Sequence, residues 1–461
     1  MKKTGNLPAD IELKAKGYIS TGYQSLVTFE CATGGFNWWV GDDPGNAILT
    51  AMAVMMFTDT KEVAFADDAI IARSAKWLAD HQRADGSWGE EQHLHDGDET
   101  LGAGTSRATA YITWALIRGG YEQGAVAKAV AFLKSAVAGE KDDYTLAMVA
   151  LALASNDPND PKLPALVQTL HEARKEDGSL VYWSPEAATM VNSWGGNAAI
   201  ESTALTALAF MAAGAYPADV QGALSYLVAN KDPQGNWGYS TQATVMALKA
   251  LIASLSSGSP DTAATVKVKL NGSEVGSRTF DTFNSDVLWQ LELADLAVEG
   301  DNVVTLEYEG VGNLMWQMTG THFLPWTMAE PEVNGPLTID VAYDKTTLTT
   351  DDTIHVQVTV ASSDPTATGM VMAELGLPPG FDLDATELES AKVAGIVQKY
   401  EPTPTQLLVY IQQVTPDKPV TFGYSLKAKY PLEATAPKSE AYFYYNKSDK
   451  TEVGPVVVKV Q

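Results

Sequence analysis

The stretch His81–Leu116, HQRADGSWGEEQHLHDGDETLGAGTSRATAYITWAL, decides the fold. A helix from Asp67 to Gln82 ends in a polar turn at Asp85-Gly86, the aromatic Trp88 follows, and a second helix rich in small residues starts near Thr105. The unit recurs. Turns of the same kind stand at Gly34-Gly35 before Phe36, at Asp177-Gly178 before Tyr182 and Trp183, and at Gln234-Gly235 before Trp237. Their spacing is about 50 residues except for one gap near twice that, which places another turn between Gly139 and Asp142.

Each turn is followed by an Ala-rich, nearly all-apolar helix: Asn46 to Phe57, Arg107 to Ile117, Tyr144 to Ala154, Glu201 to Ala213 and Gln242 to Ala253. The helices that precede the turns are amphipathic: Asp68 to His81, Val126 to Val137, Leu163 to Arg174 and Ala218 to Asn230. A helix apolar on every side has to be buried, whereas one with a polar stripe lies outside. Small side chains let the buried axes approach closely. The pattern therefore predicts two concentric rings, an α/α toroid with the Gly-aromatic turns gathered at one end.

The periodicity changes at Ser256-Ser257-Gly258-Ser259-Pro260. TVKVKL, Asn271-Gly272 and SEVGSRTF read as a hairpin, and VLWQLEL and NVVTLEYEG as further strands. A second linker, Ala329 to Pro336, leads into the alternating segment LTIDVAYDKTTLTTDDTIHVQVTVAS and a β-sandwich. The expected organisation is multidomain α and β: a toroid over residues 1–256, a small β segment over 257–330 and a C-terminal β-sandwich over 331–461.

Lys and Arg number 31 against 57 Asp and Glu, so the net charge of −26 argues against nucleic acid or an anionic membrane as partner. The single cysteine, Cys31, supplies no disulfide framework and reads as a buried structural thiol. After Met1-Lys2-Lys3 the sequence NLPADIELKAK stands where the apolar core of a signal peptide belongs, and there is no run long enough to span a bilayer. A domain cut from a longer exported precursor would read the same way. His93, His95, Asp96, Asp98 and Glu99 cluster, but without a helical His pair they make a poor metal site, so no metal or cofactor is expected. Trp38, Trp39, Trp88, Trp183, Trp194 and Trp237 at one end of a toroid, with Asp85, Asp177, Glu90 or Glu186 as paired acid and base, leave open a carbohydrate-active enzyme, a glycosidase or lyase with an appended sandwich.

Leu78, Gln82, Gly86 and Trp88 fit the QW pattern of triterpene cyclases, but the acidic motif with which those enzymes protonate their substrate is absent. A helical ring, a short β segment and then LTIDVAYDKTTLTTDDT, GMVMAELGLPPGFDLD and SEAYFYYNKSD resemble the C-terminal half of the α2-macroglobulin and complement family. Met370 to Asp384 with Tyr442 to Asn446 are the most specific matches, joined by Gly22 to Gln24, Gly34 to Phe36 and Asn46 to Thr50. The resemblance implies a thioester domain, part of a CUB-like domain and a receptor-binding domain. It implies a broad-spectrum endopeptidase inhibitor, not an enzyme, whose partners are target proteases. The lack of cysteines points to bacterial members, located in the periplasm or cell envelope or secreted.

Family members close their thioester with a Cys-Gly-Glu-Gln motif, whereas Cys31 is followed by Ala-Thr-Gly-Gly. The chain is thus expected to lack the motif and to form no thioester by itself. Ten helices are countable from Pro8 to Ser256, and the resemblance implies that the complete ring has one more pair, which includes the thioester turn. It also implies that His95 stands where complement proteins place the histidine that attacks the thioester, the alternative being a solvated loop residue. Among Tyr430, Tyr442, Tyr444 and Tyr445 it implies residues that shield the reactive bond, with Tyr442, Tyr444 and Tyr445 the candidates, the alternative being core or cross-strand packing. The edge of the half-sheet from Thr265 to Tyr308 is expected to be bare, a site for self-association.

Overall fold

The computed structural model describes residues 9–41, 43–89, 104–121, 124–191, 193–232, 235–238, 240–256, 262–282, 284, 289–312, 316–320, 330–364, 369–444 and 446–461. Ten helices alternate between an outer and an inner layer of the ring: α1 (Ala9–Val27), α2 (Ala47–Lys61), α3 (Asp68–Asp80), α4 (Thr105–Arg118), α5 (Ala125–Ala136), α6 (Asp143–Asn156), α7 (Leu163–Ala173), α8 (Gly195–Ala213), α9 (Pro217–Ala229) and α10 (Thr241–Ser256). A short hairpin of β1 (Lys175–Asp177) and β2 (Leu180–Tyr182) separates α7 from α8. The even-numbered helices are the inner ones.

Composition explains the sorting. In α6 every residue from Tyr144 to Ala154 is buried, and Ala147, Ala150 and Ala152 are fully enclosed, so the neighbouring axes can draw close. Outer helix α7 buries only Leu163, Leu166, Val167 and Leu170, a stripe at helical spacing. Within the inner ring α2 packs on α4, α4 on α6, α6 on α8 and α8 on α10, while α3, α5, α7 and α9 each lie mainly on the inner helix before them. Helix α1 rests on α2, and none of its described side chains is fully buried. Met56 of α2 and Leu248 and Ile252 of α10 stay 50%, 43% and 60% exposed.

The repeated turn is a lock made by the hydrogen bonds of its aromatic residue. The backbone N–H of the turn aromatic donates to a threonine of the following inner helix: Phe36 to Thr50 at 2.9 Å, Trp88 to Thr109 at 3.1 Å, Trp183 to Thr203 at 3.0 Å and Trp237 to Thr244 at 3.1 Å. The indole N–H of each of the three tryptophans donates backward to the outer helix, at Leu78, Leu170 and Leu227, over 2.8, 2.7 and 2.6 Å. Gln82 adds a third tie, donating to the Gly86 carbonyl at 2.9 Å and the Ala125 carbonyl at 2.8 Å. Gly86 has φ +91, and a Cβ there would lie 2.4 Å from the Lys128 carbonyl oxygen, so both its conformation and its space demand glycine.

Beyond the ring, β3 (Ala263–Leu270), β4 (Ser273–Phe280) and β5 (Val304–Val311) form an antiparallel sheet in the order β4-β3-β5. Asn271 and Gly272, both at positive φ, make the hairpin turn. The strand expected at VLWQLEL is not found in its described part, residues 289–293. Its alternation reflects packing instead: Trp289 and Leu291 lie on the face of β4, where Gly276 leaves room for them. Helix α8 likewise starts at Gly195, ahead of the expected Glu201. Gly195-Gly196-Asn197 reads as a helix breaker, but the Asn197 amide is taken up by the Gly238 carbonyl at 3.2 Å in the next turn of the ring.

The C-terminal unit contains β6 (Leu337–Tyr343), β7 (Thr347–Leu348), β8 (Thr353–Ser362), β9 (Val371–Gly376), β10 (Phe381–Asp384), α11 (Thr386–Val393), β11 (Lys399–Pro402), β12 (Gln406–Ile411), β13 (Val420–Ala428), β14 (Leu432–Ala436), β15 (Ser439–Phe443), β16 (Asn446–Val453) and β17 (Val456–Val460). A sheet ordered β10-β13-β8-β6 and another ordered β11-β12-β9-β15-β16 enclose a core that includes Ile354, Val356, Val358, Val371, Ala373, Leu375, Leu407 and Val409. A small sheet, β14-β17-β7, joins them. No helix among the described residues is long and apolar enough to cross a membrane.

The Glu201 carboxyl sits in the ring core. Glu201 is fully buried on α8, its carboxyl oxygens meet the Tyr144 hydroxyl at 3.5 Å and the side chains of Ser193 and Thr189, and Oε1 has no partner among the described residues. Burial pushes its pKa up to about 7 against the hydrogen bonds that favour ionisation. The folded chain therefore holds this proton more tightly than the unfolded chain. The associated stability is full below pH 4.5 and declines as the pH rises to about 7, a loss of about 3 kcal/mol.

Trp183→Phe leaves the buried Leu170 carbonyl without its donor and should lower the unfolding free energy by about 1–3 kcal/mol, as should Thr203→Val at the other end of the lock, both read by denaturant titration. Glu201→Gln should be more stable than the wild type above pH 7, with a difference that shrinks toward pH 4.5; equal midpoints across that range would contradict the buried acid.

Candidate functional site

The loop ahead of α2 presents Trp39. Phe36 bridges Glu30 and Asn46 in short antiparallel pairs, Asn46 caps α2 by accepting from the Ile48 and Leu49 amides, and Asn37 donates to the Pro44 carbonyl at 2.9 Å. Gly34, Gly35 and Gly45 lie against Trp77, which supports the turn from below. These ties fix the backbone on both sides of Trp39 at the end of the ring where α2 starts.

Opposite it stands the outer face of the five-stranded sheet. The strand register aligns Lys399 with Tyr410, Tyr410 with Met372, Met372 with Tyr442 and Tyr442 with Lys450, one row across β11, β12, β9, β15 and β16. Residues in such a row share a face, since side chains alternate along each strand. The Trp39 and Tyr410 rings meet edge to face, with centroids 5.8 Å apart at 85°. The Lys399 ammonium lies 5.2 Å from the Trp39 centroid and 5.5 Å from that of Tyr410, and it is paired with Glu401 on its own strand. Tyr444 completes the group, its ring 6.1 Å from Tyr410 and its amide donating to the Met370 carbonyl at 2.8 Å. Burial, reinforced by Glu401, pushes Tyr410 up to about 12 and raises Tyr444, so both phenols are neutral at physiological pH.

The tyrosines singled out from the sequence have different surroundings. Tyr442 lies in the row, but its hydroxyl donates to Glu374, and Lys447 sits 4.5 Å over its ring while pairing with Glu374 at 3.0 Å and Glu440 at 2.8 Å. Burial and this hydrogen bond to Glu374 push its pKa far up. Tyr444 belongs to the aromatic group at Trp39, Tyr430 is 64% exposed, and Tyr445 lies outside the described residues. His95 lies outside them too, as do Glu90, His93, Asp96, Asp98 and Glu99. Lys399, Tyr410 and Met372 were not legible as site residues. The sequence marks them as strand residues, but the pairing that aligns them is set by registers between strands far apart in the chain.

Among the described positions that would serve a sugar site, the three turn tryptophans are not available for stacking. Trp88, Trp183 and Trp237 are fully buried with their indole N–H groups committed to helix carbonyls, which leaves no free face for stacking. Asp177 and Glu186 are exposed, and Asp85 accepts from the Ser87 amide and hydroxyl, contacts that hold its pKa below the usual carboxylate range. Among the described residues no group of three His, Cys, Asp or Glu side chains could hold a metal ion. Cys31 is buried and in no disulfide, its thiol directed at the Phe29 carbonyl.

The family model of the A-macroglobulin TED domain matches residues 1–253, and that of the A-macroglobulin receptor binding domain matches residues 366–453. Ovostatin from Gallus gallus is 29% identical over 188 residues, which cover 40% of this chain and 13% of that protein. The fold is similar to native α2-macroglobulin from Escherichia coli, solved from domain MG7 to the C-terminus, with a TM-score of 0.67 and 14% identity over 100% of this chain and 70% of that one. It is also similar to Salmonella α2-macroglobulin reacted with methylamine, with a TM-score of 0.68 and 15% identity over 99% of this chain and 28% of that one. The chain spans 13% of the length of ovostatin and 28% of the Salmonella chain. With more than half of its residues matched by one family model and a further segment by a second, this chain belongs to the A-macroglobulin family.

Proposed function

We propose that the chain is the C-terminal part of a macroglobulin-like protease trap, in which the sandwich covers a reactive acyl group carried by the ring of the intact protein. One observation carries the reading: the contact of Trp39 with Tyr410 and, behind it, Tyr444, at the end of the ring where the inner helices begin. A strained acyl bond survives in water only if water is kept from it, and neutral, half-buried aromatic rings packed on one another do that without offering a nucleophile. Tyr444 and Tyr410 are the shielding pair, and Tyr442 holds the sheet face through Glu374 and Lys447.

The chain supplies the scaffold and the cover but not the acyl group. Cys31, buried in a turn and followed by Ala32 and Thr33, has no place in a thioester. An extracytoplasmic location, in the periplasm, the envelope or the medium, accords with the family. Target proteases are the partners of the intact protein.

Three results are expected. The 461-residue chain incubated with trypsin should give no adduct stable to denaturation, whereas a protein extended upstream to include a Cys and Gln thioester pair should give one. In that extended protein Tyr444→Ala or Tyr410→Ala should raise the rate of thiol release by methylamine about tenfold or more, and an unchanged rate would overturn the shielding role. His95→Asn in the same protein should shift its targets from hydroxyls toward amines, because neutral imidazole is then no longer available as the intermediate nucleophile.

A further inference from the structure

The contact between ring and sandwich holds a cation where an all-apolar interface would have served the shield equally well. Lys399 is the cross-strand partner of Tyr410, so its stem leaves the sheet beside that ring. Its ammonium lies within cation–π distance of two aromatic faces from different domains, 5.2 Å from Trp39 and 5.5 Å from Tyr410. Glu401, two residues on and therefore on the same face of β11, holds the charge from the sandwich side. Trp39 in turn is braced by the hydrogen-bonded loop from Phe36 to Asn46.

We infer that Lys399 is the latch pin that keeps the sandwich docked on the ring, with Trp39 as its strike plate and Tyr410 and Glu401 as its guides. The inference deepens the shielding proposal but concerns docking alone, and it can be tested without any reactive acyl group. Lys399 is a positioning residue: it acts on Tyr410 and Tyr444 by holding the sheet face against the loop. The charge suits a contact that must open. Once the domains separate, water solvates the ammonium and Glu401 keeps it paired, so the open form exposes little unsatisfied surface at this point. A Leu or Phe at the same place would make separation expose apolar area, favouring a permanently closed pair.

The test uses the full 461-residue chain labelled with fluorotryptophan, the Trp39 resonance being identified by its loss in Trp39→Phe. Lys399→Met keeps the stem and removes the charge. It should move the Trp39 resonance toward its solvent-exposed position, raise the open population about fivefold to tenfold and enlarge the radius of gyration seen by small-angle scattering. Lys399→Arg should restore the closed state, since a guanidinium binds aromatic faces at least as well. The unfolding midpoint should be the same in all three proteins, which separates docking from folding. An unmoved Trp39 resonance and scattering curve in Lys399→Met overturn the pin, and so does failure of Lys399→Arg to restore them. Loss of the pin with methylamine protection intact in the extended protein would leave the shield standing, and the converse would leave the pin standing.

Discussion

The ring depends on one small set of hydrogen bonds, made where the chain turns from an outer helix to the next inner one. A turn buried between helices carries polar backbone groups that water cannot reach, and each must find a partner inside the protein. Trp88, Trp183 and Trp237 meet that demand twice over. The backbone N–H of each goes forward to a threonine and its indole N–H goes back to the end of the preceding helix. The ring atoms meanwhile fill the wedge between the two helices, so one residue both satisfies the turn and sets the spacing of the layers. Phe36, which has no indole N–H, keeps the forward bond to Thr50 alone, and its loop adds the pairs with Glu30 and Asn46.

That demand also explains where function can sit. The turns lie at one end of the ring because each precedes an inner helix, and the loops most committed to the lock are the least able to serve as a binding surface. The first turn departs from the others: its buried position is taken by Phe36, which frees Trp39, three residues on, to face the sheet row of Lys399, Tyr410 and Met372. The docking point is a variation on the structural repeat.

Much of this was legible in the sequence, for reasons tied to particular residues. Gly86 with Trp88, and the Ala-rich stretches after each turn, report local needs: a positive φ, a filled wedge and closely packed axes. Such needs reveal both the ring and its layering. The Asn271-Gly272 hairpin was equally plain. The segment VLWQLEL was misleading, because alternation records a buried face whether or not the backbone pairs, and Trp289 and Leu291 cover β4 without joining the ladder. The row from Lys399 to Lys450 was out of reach, since it depends on four strand registers that no local pattern encodes. Glu201 was concealed too: the apolar helix was expected to begin with it, whereas α8 begins at Gly195 and sets it within the buried stretch.

Burial of the turn indoles has an optical consequence. Trp88, Trp183 and Trp237 have almost no contact with solvent, so their emission lies toward the blue and aqueous quenchers cannot reach them, while Trp194 and Trp316, 45% and 60% exposed, emit toward the red and are readily quenched. Each shielded indole bridges two successive layers of the ring, so a change in the blue component registers the parting of those layers. The protein thus carries an intrinsic gauge of its own closure, readable at sub-micromolar concentration with no label attached.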